Sequence, residues 1–254
     1  MGSAYEGRVV LVTGAAGGFG ALAARRFAAE GARLALSDLA GVEALAEELG
    51  AFGEAVDVSD EAQVARHVAR TLERYGRLDV AINNAGVGHA LVPLTKLPVA
   101  EFDRMMAVNA RGVFLGMKHQ LPPMIEAGRG AILNVASAAG LVGAGHLAAY
   151  AASKHAVVGL TRAAADEVAR HGVRVNTLCP SFAATPLFEE MADAVMERHG
   201  GDRAEAHARI AARVPMRRVA RPEEIVQAML WICHDDNAFM TGQAVALDGG
   251  LTAV

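Results

Sequence analysis

Two scarce residue types stand one helical turn apart in the middle of the chain. Tyr150 and Lys154 are drawn from only three tyrosines and three lysines among 254 residues. A phenol has an ordinary pKa of about 10 and is a poor base at neutral pH, but a neighbouring cation lowers that pKa. Ser137 comes 13 residues before the tyrosine, where its hydroxyl could reach the same substrate oxygen. The combination indicates proton transfer to or from a hydroxyl or carbonyl group.

A glycine cluster follows the first hydrophobic run. Residues 13–20 read Thr-Gly-Ala-Ala-Gly-Gly-Phe-Gly, and an alanine-rich helical stretch follows from Phe19. Gly14, Gly18 and Gly20 would permit a tight turn, a close backbone approach to a pyrophosphate and close packing of the helix on a sheet. The helix N-terminus would offer free N–H groups and partial positive charge. The pattern predicts a dinucleotide site that includes Gly14, Gly18, Phe19 and Gly20; a flexible turn is the simpler alternative.

Asp38 ends the second predicted strand, about 20 residues after the glycines. There a carboxylate can accept hydrogen bonds from both adenosine ribose hydroxyls and would repel a 2′-phosphate. Neither Gly17 nor Leu39 supplies a cation to neutralise such a phosphate. The sequence therefore predicts NAD rather than NADP, the alternative being that Asp38 only caps the following helix.

The elements that must position these residues alternate along the chain. Short runs of Val, Ile and Leu predict strands near 8–12, 33–37, 52–56, 78–82, 131–135, 174–178 and 244–247. Helical periodicity predicts helices near 19–30, 42–49, 60–75, 101–126, 150–170 and 223–234. This is the pattern of parallel strands joined by crossover helices. We expect an α/β, doubly wound fold with a seven-stranded parallel sheet.

We expect one domain over residues 1–254, because no linker rich in Pro, Gly or Ser divides the chain. The connection over 181–215 is longer than a crossover needs. It carries its own helical patterns around 187–198 and 204–213. Long insertions of this kind are typical of a lid or a binding wall.

Composition and charge exclude other classes of protein. With 53% hydrophobic residues the chain can bury a large core, and its net charge of −4 offers no basic field for nucleic acid. Cys179 and Cys233 lack metal-ligand spacing, so we expect free buried thiols and no metal. Residues 1–7 show no leader pattern and no run of about 18 apolar residues follows. We therefore expect a cytoplasmic protein with no membrane partner.

Further residues complete a set of motifs in fixed order. Beside the glycine cluster, Ser137 and the Tyr-x-x-x-Lys pair, they are Asp57, residues 83–86, Asn109, Asn176, Pro180, Thr185, and residues 221–224 and 248–250. In this combination the sequence resembles the short-chain dehydrogenase/reductase family over essentially its whole length. The resemblance implies a Rossmann-like three-layer fold and hydride transfer between NAD(H) and an alcohol or ketone. It also implies a homotetramer, with the helices over 101–126 and 150–170 in one two-fold interface and the C-terminal region in another.

The resemblance assigns roles to the catalytic candidates. Tyr150 is the acid/base, Ser137 orients the reacting oxygen, and Lys154 binds the nicotinamide ribose and lowers the pKa of Tyr150. Asn109 is similar to a helix asparagine that holds a water in a proton relay. Taken alone, it would be a mid-helix polar residue bonded to a carbonyl.

The resemblance also assigns contacts on the adenosine side of the cofactor. Asp57 would contact the adenine ring and Val58 would supply a backbone hydrogen bond; on its own, Asp57 is equally typical of a turn. Asn84, Ala85 and Gly86 would support the sheet and lie against the adenosine.

Near the nicotinamide the chain departs from the family pattern. Pro180 keeps its place as a cofactor-binding residue, and Thr185 would fix the carboxamide. Ser181, however, stands where the family usually has glycine, and the bulky Phe182 follows. We expect these two side chains to reshape the pocket without abolishing catalysis.

The predicted substrate walls are 88–92, 138–147 and the apolar residues of the long connection, which are Phe182, Leu187, Phe188, Met191 and Met196. No Arg or Lys cluster accompanies them, which favours a neutral, largely apolar secondary alcohol or ketone. His89 and His146 could bind a second polar group, or simply pack at the surface.

Two other functions stay open. A 3-oxoacyl-thioester reductase is the nearest enzymatic alternative; Asp38 counts against it, because such reductases commonly use NADPH. A non-catalytic NAD-binding scaffold protein would keep the fold, but the intact Ser137, Tyr150 and Lys154 count against that alternative.

Overall fold

Seven parallel strands form one sheet in the computed structural model, which describes residues 4–253 apart from the side chains of 186 and 187. The strands are β1 (Val9–Thr13), β2 (Arg33–Asp38), β3 (Phe52–Ala55), β4 (Val80–Asn83), β5 (Gly130–Val135), β6 (Val173–Pro180) and β7 (Ala244–Leu247). Their spatial order is β3-β2-β1-β4-β5-β6-β7, with every pairing parallel. The predicted doubly wound α/β sheet is confirmed.

Helices connect the strands. They are α1 (Gly18–Ala29), α2 (Val42–Glu48), α3 (Glu61–Tyr75), α4 (Val99–Met105), α5 (Gly112–Glu126), α6 (Ala148–Val168), α7 (Pro186–His199), α8 (Arg203–Ala211) and α9 (Pro222–Cys233). α7 and α8 occupy the long connection where its two helical patterns were predicted. Among the residues described, none of the helices combines the length and apolar character that a membrane crossing requires.

The core consists of two apolar layers, one on each face of the sheet. In β1, Val10 and Val12 belong to the cluster that includes α1 and α9, whereas Val9 and Leu11 belong to the cluster that includes α5 and α6. Successive strand residues point to opposite faces, so a strand that is apolar throughout must be covered on both sides. The predicted three-layer arrangement follows from this burial.

The predicted helix over 101–126 is not one α-helix. A π-helical segment, Met106–Arg111, separates α4 from α5 and contains Asn109. The wider turn coincides with hydrogen bonds from the Asn109 side chain to the main chain of Val87. The prediction of a continuous α-helix was wrong because this constraint comes from a residue 22 positions away.

The sheet order brings the candidate residues together. β1 lies between β2 and β4, so the crossovers leave β1 in opposite directions and open a crevice at the carboxyl ends of the strands. The glycine turn (residues 13–20) follows β1, residues 83–86 end β4, and Ser137 follows β5.

Candidate active site

The glycine turn is fixed by close main-chain contacts. Gly14 has φ +66°, and a Cβ there would lie 2.7 Å from the Cα of Ala85. A Cβ on Gly20 would lie 2.0 Å from the carbonyl oxygen of Gly14. Gly18 also has a positive φ, +52°. Side chains at 14 and 20 would push the turn away from α1 and from the loop after β4, so the predicted glycine roles have a steric basis.

Asn84 and Thr13 hold that turn in place. Asn84 Nδ2 donates to the carbonyl oxygens of Thr13 at 3.1 Å and Gly14 at 3.0 Å. In return, Thr13 Oγ1 accepts from the backbone N–H groups of Asn84 and Ala85, both at 3.1 Å. Residues 84 and 85 therefore support the glycine turn directly; their contact with adenosine stays a prediction.

The start of α1 suits a phosphate. Its N-cap, Gly17, makes no side-chain cap hydrogen bond, and the first turn contains no acidic residue. Uncapped N–H groups and the helix dipole attract an anion at such a position.

Asp38 lies beside the same turn. Its Oδ2 accepts from the N–H of Ala16 at 2.8 Å and its Oδ1 from the N–H of Leu39 at 2.7 Å. The N-cap of α2 is Gly41, which receives no side-chain cap. The alternative of a helix cap for Asp38 is thus wrong, and the carboxylate is held next to the glycine turn.

Asp57 adopts the turn role that it could have on its own. Its Oδ1 accepts from the N–H of Ser59 at 2.8 Å and from Ser59 Oγ at 2.7 Å. Val58 packs against the start of α5, where a Cβ on Gly112 would come within 2.9 Å of it. Contacts of Asp57 and Val58 with adenine remain predictions.

Ser137 and Tyr150 are neighbours in the crevice. Ser137 follows β5, and its Oγ accepts from the N–H of Ala139 at 3.1 Å. Burial raises the pKa of Tyr150 because it desolvates the phenolate, and a hydrogen bond with Ser137 opposes the rise. This rise in the Tyr150 pKa is opposite to the lowering expected from Lys154, because desolvation is the largest cause of the shift.

Lys154 is a buried cation close to that phenol. Its Nζ lies 5.7 Å from the Tyr150 ring centre and donates to the carbonyl oxygen of Val135 at 2.9 Å. Only 4% of the residue is exposed, and burial lowers the pKa of Lys154 to about 8. Burying the charged ammonium therefore costs desolvation free energy, and the group is charged mainly below that pH.

Asn109 links three parts of the site. Its Oδ1 accepts from the N–H of Val87 at 2.8 Å, and its Nδ2 donates to the Val87 carbonyl at 2.9 Å and to Ser153 Oγ at 3.0 Å. A Cβ on Gly86 would come within 3.3 Å of both Asn109 Oδ1 and Lys154 Nζ. Asn109 does bond a carbonyl, but one outside its own helix, and it faces Lys154 across Gly86.

The remaining predicted residues lie at the carboxyl end of β6. Pro180 pairs with Leu247, and the N–H of Ser181 donates to the Leu247 carbonyl at 3.3 Å. Thr185 is the N-cap of α7, and its Oγ1 donates to the Ala183 carbonyl at 3.3 Å. Contacts of Pro180 and Thr185 with nicotinamide stay predictions.

The predicted walls are partly connected to one another. The N–H of Val92 donates to the His146 carbonyl at 3.0 Å. Phe182 packs against the Phe188 cluster, and the Arg213 guanidinium lies 5.5 Å from its ring centre. The Leu187 side chain lies outside the described residues.

Two contacts were not foreseen from the sequence. Ser153 Oγ donates to the Tyr150 carbonyl at 2.7 Å, and the N–H of Tyr150 donates to His89 Nε2 at 3.4 Å. Ser153 stands inside the Tyr-x-x-x-Lys motif, and this position is the sequence feature that could have identified it. His89 is 61 positions from Tyr150, so no local pattern could have linked them.

Comparison with known proteins agrees with this geometry. The family model described as "Enoyl-(Acyl carrier protein) reductase" matches residues 14–252. The chain is 40% identical over 260 residues to the cis-4-hydroxycyclohexanecarboxylate dehydrogenase of Sinomonas cyclohexanicum, covering 100% of both. It is 38% identical to the levodione reductase of Leifsonia aquatica, over 98% of this chain and 96% of that relative.

Solved structures give the same result. A crystal structure of levodione reductase superposes with a TM-score of 0.93 at 37% identity, covering 98% of this chain and 99% of the other. A variant actinorhodin polyketide ketoreductase with NADPH gives 0.93 at 35% identity, covering 97% and 98%. The fold is thus one that binds a nicotinamide cofactor, and the chain is an oxidoreductase of alcohols or ketones. It belongs to the short-chain dehydrogenase/reductase family.

Proposed function

We propose that the protein transfers a hydride between NAD(H) and a neutral, largely apolar secondary alcohol or ketone, with Tyr150 as the acid/base. The observation that carries this proposal is the placement of Ser137, Tyr150 and Lys154 beside Asn109 in one crevice. The same crevice contains an uncapped helix N-terminus and a glycine turn that suit a dinucleotide.

The side chains divide the proton chemistry among them. The bound cofactor supplies C4 of the nicotinamide as the hydride acceptor or donor. In oxidation the Tyr150 phenolate takes the alcohol proton, and the Ser137 hydroxyl orients the substrate oxygen. Lys154 would stabilise the phenolate by its charge and would hold the nicotinamide ribose of the bound cofactor. Reduction reverses the proton transfer.

A relay from Tyr150 towards solvent would pass Lys154 and a water held by Asn109. The support for this relay is that Asn109 Oδ1 and Lys154 Nζ both lie next to Gly86, where a Cβ would come within 3.3 Å of each.

Asp38 supports NAD as the cofactor. Its carboxylate is held at the glycine turn by two N–H groups, and among the hydrogen bonds of the described residues none joins it to an Arg or Lys. A 2′-phosphate there would meet a negative charge with no neutralising partner. The related ketoreductase carries NADPH, so a protein of this fold can take the phosphorylated cofactor, and the proposal of NAD for this chain depends on Asp38.

The proposed substrate class is inferred from the residues of the predicted substrate walls. Arg104, the cation next to the 88–92 wall, is already bonded to Glu101 and to the Gly88 carbonyl. The name of one relative, cis-4-hydroxycyclohexanecarboxylate dehydrogenase, contains a secondary alcohol on a hydrocarbon ring, which fits this class, and a carboxylate, which the neutral substrate proposed here lacks. The segment 181–215 would cover this substrate as a lid on the single domain.

Surface aromatics support a homotetramer. Phe102 on α4 and Phe114 on α5 are 42% and 45% exposed, and Trp231 and Phe239 near the C-terminal region are exposed by half or more. These are the two regions expected in the two-fold interfaces, and large exposed apolar side chains favour subunit contacts. The buried free thiols Cys179 and Cys233 fit a reducing cytoplasm.

A panel of secondary alcohols, followed by NADH absorbance, tests the proposal. We expect turnover with NAD on ring alcohols, and a loss of at least about 10³-fold in kcat for Tyr150→Phe with NAD affinity within about twofold. Tyr75→Phe is the matched control, because within the described part of the chain the Tyr75 hydroxyl bonds the main chain of Leu34 and Phe52 and no other group.

Near-normal turnover in Tyr150→Phe would refute the mechanism. Turnover restricted to 3-oxoacyl thioesters with NADPH would favour the thioester reductase. Inactivity over the whole panel with intact NAD binding would favour the scaffold protein.

A further inference from the structure

The helix that carries Tyr150 lacks a capping side chain of its own. α6 begins at Ala148, its N-cap residue Leu147 makes no side-chain cap hydrogen bond, and its first turn has no acidic residue. The first N–H groups of a helix have no partner inside the helix, and an acceptor from elsewhere stabilises them. Tyr150 is the third residue of α6, so its N–H is one of these groups.

His89 supplies the missing acceptor from a different loop. Its Nδ1 lies 2.8 Å from the Ala90 carbonyl oxygen, and its Nε2 lies 3.4 Å from the Tyr150 nitrogen. A carbonyl oxygen can only accept, so the proton is assigned to Nδ1, and Nε2 presents its lone pair to the Tyr150 N–H. The two partners together select one neutral tautomer of the imidazole.

The loop that carries His89, residues 87–92, is anchored on both sides of it. Val87 is bonded through both its N–H and its carbonyl to Asn109, and the Gly88 carbonyl accepts from Arg104 at 2.8 Å. Beyond His89, the N–H of Val92 donates to the carbonyl of His146. The imidazole is therefore held in place by its own main chain.

Both main-chain polar groups of Tyr150 are connected to Asn109 through hydrogen bonds. The N–H of Tyr150 donates to His89, whose loop (residues 87–92) is in turn bonded to Asn109. The carbonyl accepts from Ser153 Oγ, which in turn accepts from Asn109 Nδ2. The backbone of the proposed acid/base is thus tied at two points to one residue of the π-helical segment.

We infer that His89 is a positioning residue, whose neutral imidazole caps the first turn of α6 and thereby fixes the Tyr150 phenol against Ser137. The inference rests on the proposed function, because fixing Tyr150 affects turnover only if that residue moves the proton.

Two variants of the full chain test the inference by hydrogen exchange without substrate or cofactor. In His89→Leu we expect the Tyr150 amide to exchange about fivefold faster, the effect of one lost helix cap. In His89→Gln the amide oxygen replaces Nε2, so exchange should return to within about twofold of the wild type. His155→Leu is the control, since His155 lies five residues after Tyr150 on α6, is exposed and, among the described residues, hydrogen-bonds the Ala151 carbonyl alone; it should leave exchange unchanged.

Turnover supplies the second measurement. We expect kcat to fall about tenfold in His89→Leu, with unchanged NAD affinity, and to recover in His89→Gln. Unchanged Tyr150 exchange in His89→Leu overturns the inference, as does faster exchange with an unchanged kcat. Activity retained in Tyr150→Phe would instead reject the proposed function, and the exchange data would still report on the cap.

Discussion

The glycine turn and the proposed lid (residues 181–215) are built in different ways. The turn is held by main-chain contacts and by reciprocal hydrogen bonds between Asn84 and Thr13. The lid has a small apolar cluster of its own, which includes Phe188 and Ile210, and ion pairs at the surface around Arg203. The glycine turn depends on main-chain contacts, whereas the lid depends on side-chain contacts that other residue types could provide.

This difference explains which region a sequence motif can identify. A site made of main-chain contacts accepts few residue types, because an added methyl group collides with backbone that cannot move away. A lid made of surface ion pairs and a small cluster loses little when one member changes. Cofactor binding should therefore be sensitive to substitution, and substrate recognition should be adjustable.

The largest effect should come from Gly20→Ala. The new Cβ would lie 2.0 Å from the Gly14 carbonyl oxygen, so α1 or the turn must shift. We expect NAD affinity to fall by at least about 100-fold and the protein to be destabilised by about 1–3 kcal/mol. Calorimetric titration with NAD and thermal unfolding measure the two quantities.

Gly145→Ala is the matched control in the loop before α6. Gly145 is exposed, and a Cβ there would meet nothing within 4 Å. We expect unchanged NAD affinity and a stability change below about 0.5 kcal/mol. Wild-type NAD binding in Gly20→Ala would show that main-chain fit does not define the cofactor site.

The next largest effect concerns cofactor choice. Replacing Asp38 by Ser together with Leu39→Arg removes the carboxylate and supplies a cation for a 2′-phosphate. We expect kcat/KM with NAD to fall by about 10- to 100-fold, the value of charge-assisted hydrogen bonds, and that with NADP to rise by a similar factor. In Asp38→Asn the charge is lost, but the amide oxygen still accepts a hydrogen bond from one N–H. This variant therefore separates the contribution of charge to cofactor choice from that of hydrogen bonding. A preference for NADP in the wild type would contradict the assignment.

An intermediate effect should come from Lys154, which makes the stability of the protein depend on pH. Burial lowers the pKa of this ammonium from 10.5 to about 8. Below pH 8 both folded and unfolded chains hold the proton, and burying the charge costs about 3 kcal/mol. Between pH 8 and 10.5 the unfolded chain binds the extra proton, so stability rises with pH by up to about 1.4 kcal/mol per unit.

Urea unfolding of the wild type and of Lys154→Met at several pH values measures this contribution. The difference in unfolding free energy should shift in favour of the wild type as the pH rises from 8 to 10. Lys118→Met is the control, because Lys118 is exposed and paired with Glu61; its difference from the wild type should not follow this course. A constant difference for Lys154→Met would mean that the buried amine stays charged throughout.

The sequence predicted those parts of the molecule that local patterns encode. The strands, the glycine turn and the two helices of the long connection all follow from periodicity and from residue type. The π-helical segment around Asn109 and the contact of His89 with Tyr150 depend on pairs 22 and 61 positions apart, so no window along the chain contains them. The direction of the Tyr150 pKa also escaped prediction, because burial rather than the nearby Lys154 dominates it.

The smallest effect should come from the lid. Arg203 bonds Glu189 at 2.6 Å and Asp193 at 2.5 Å, with about half of its side chain exposed, so each pair contributes under about 1 kcal/mol. For Arg203→Gln we expect the KM for the alcohol to rise no more than about threefold, less at high salt, with unchanged NAD affinity. Arg25→Gln removes an ion pair of similar exposure, formed with Glu48 between α1 and α2, and should leave the KM unchanged. A larger loss of NAD affinity than of alcohol affinity in Arg203→Gln would show that the lid belongs to the cofactor site, and the contrast between the two regions would fail.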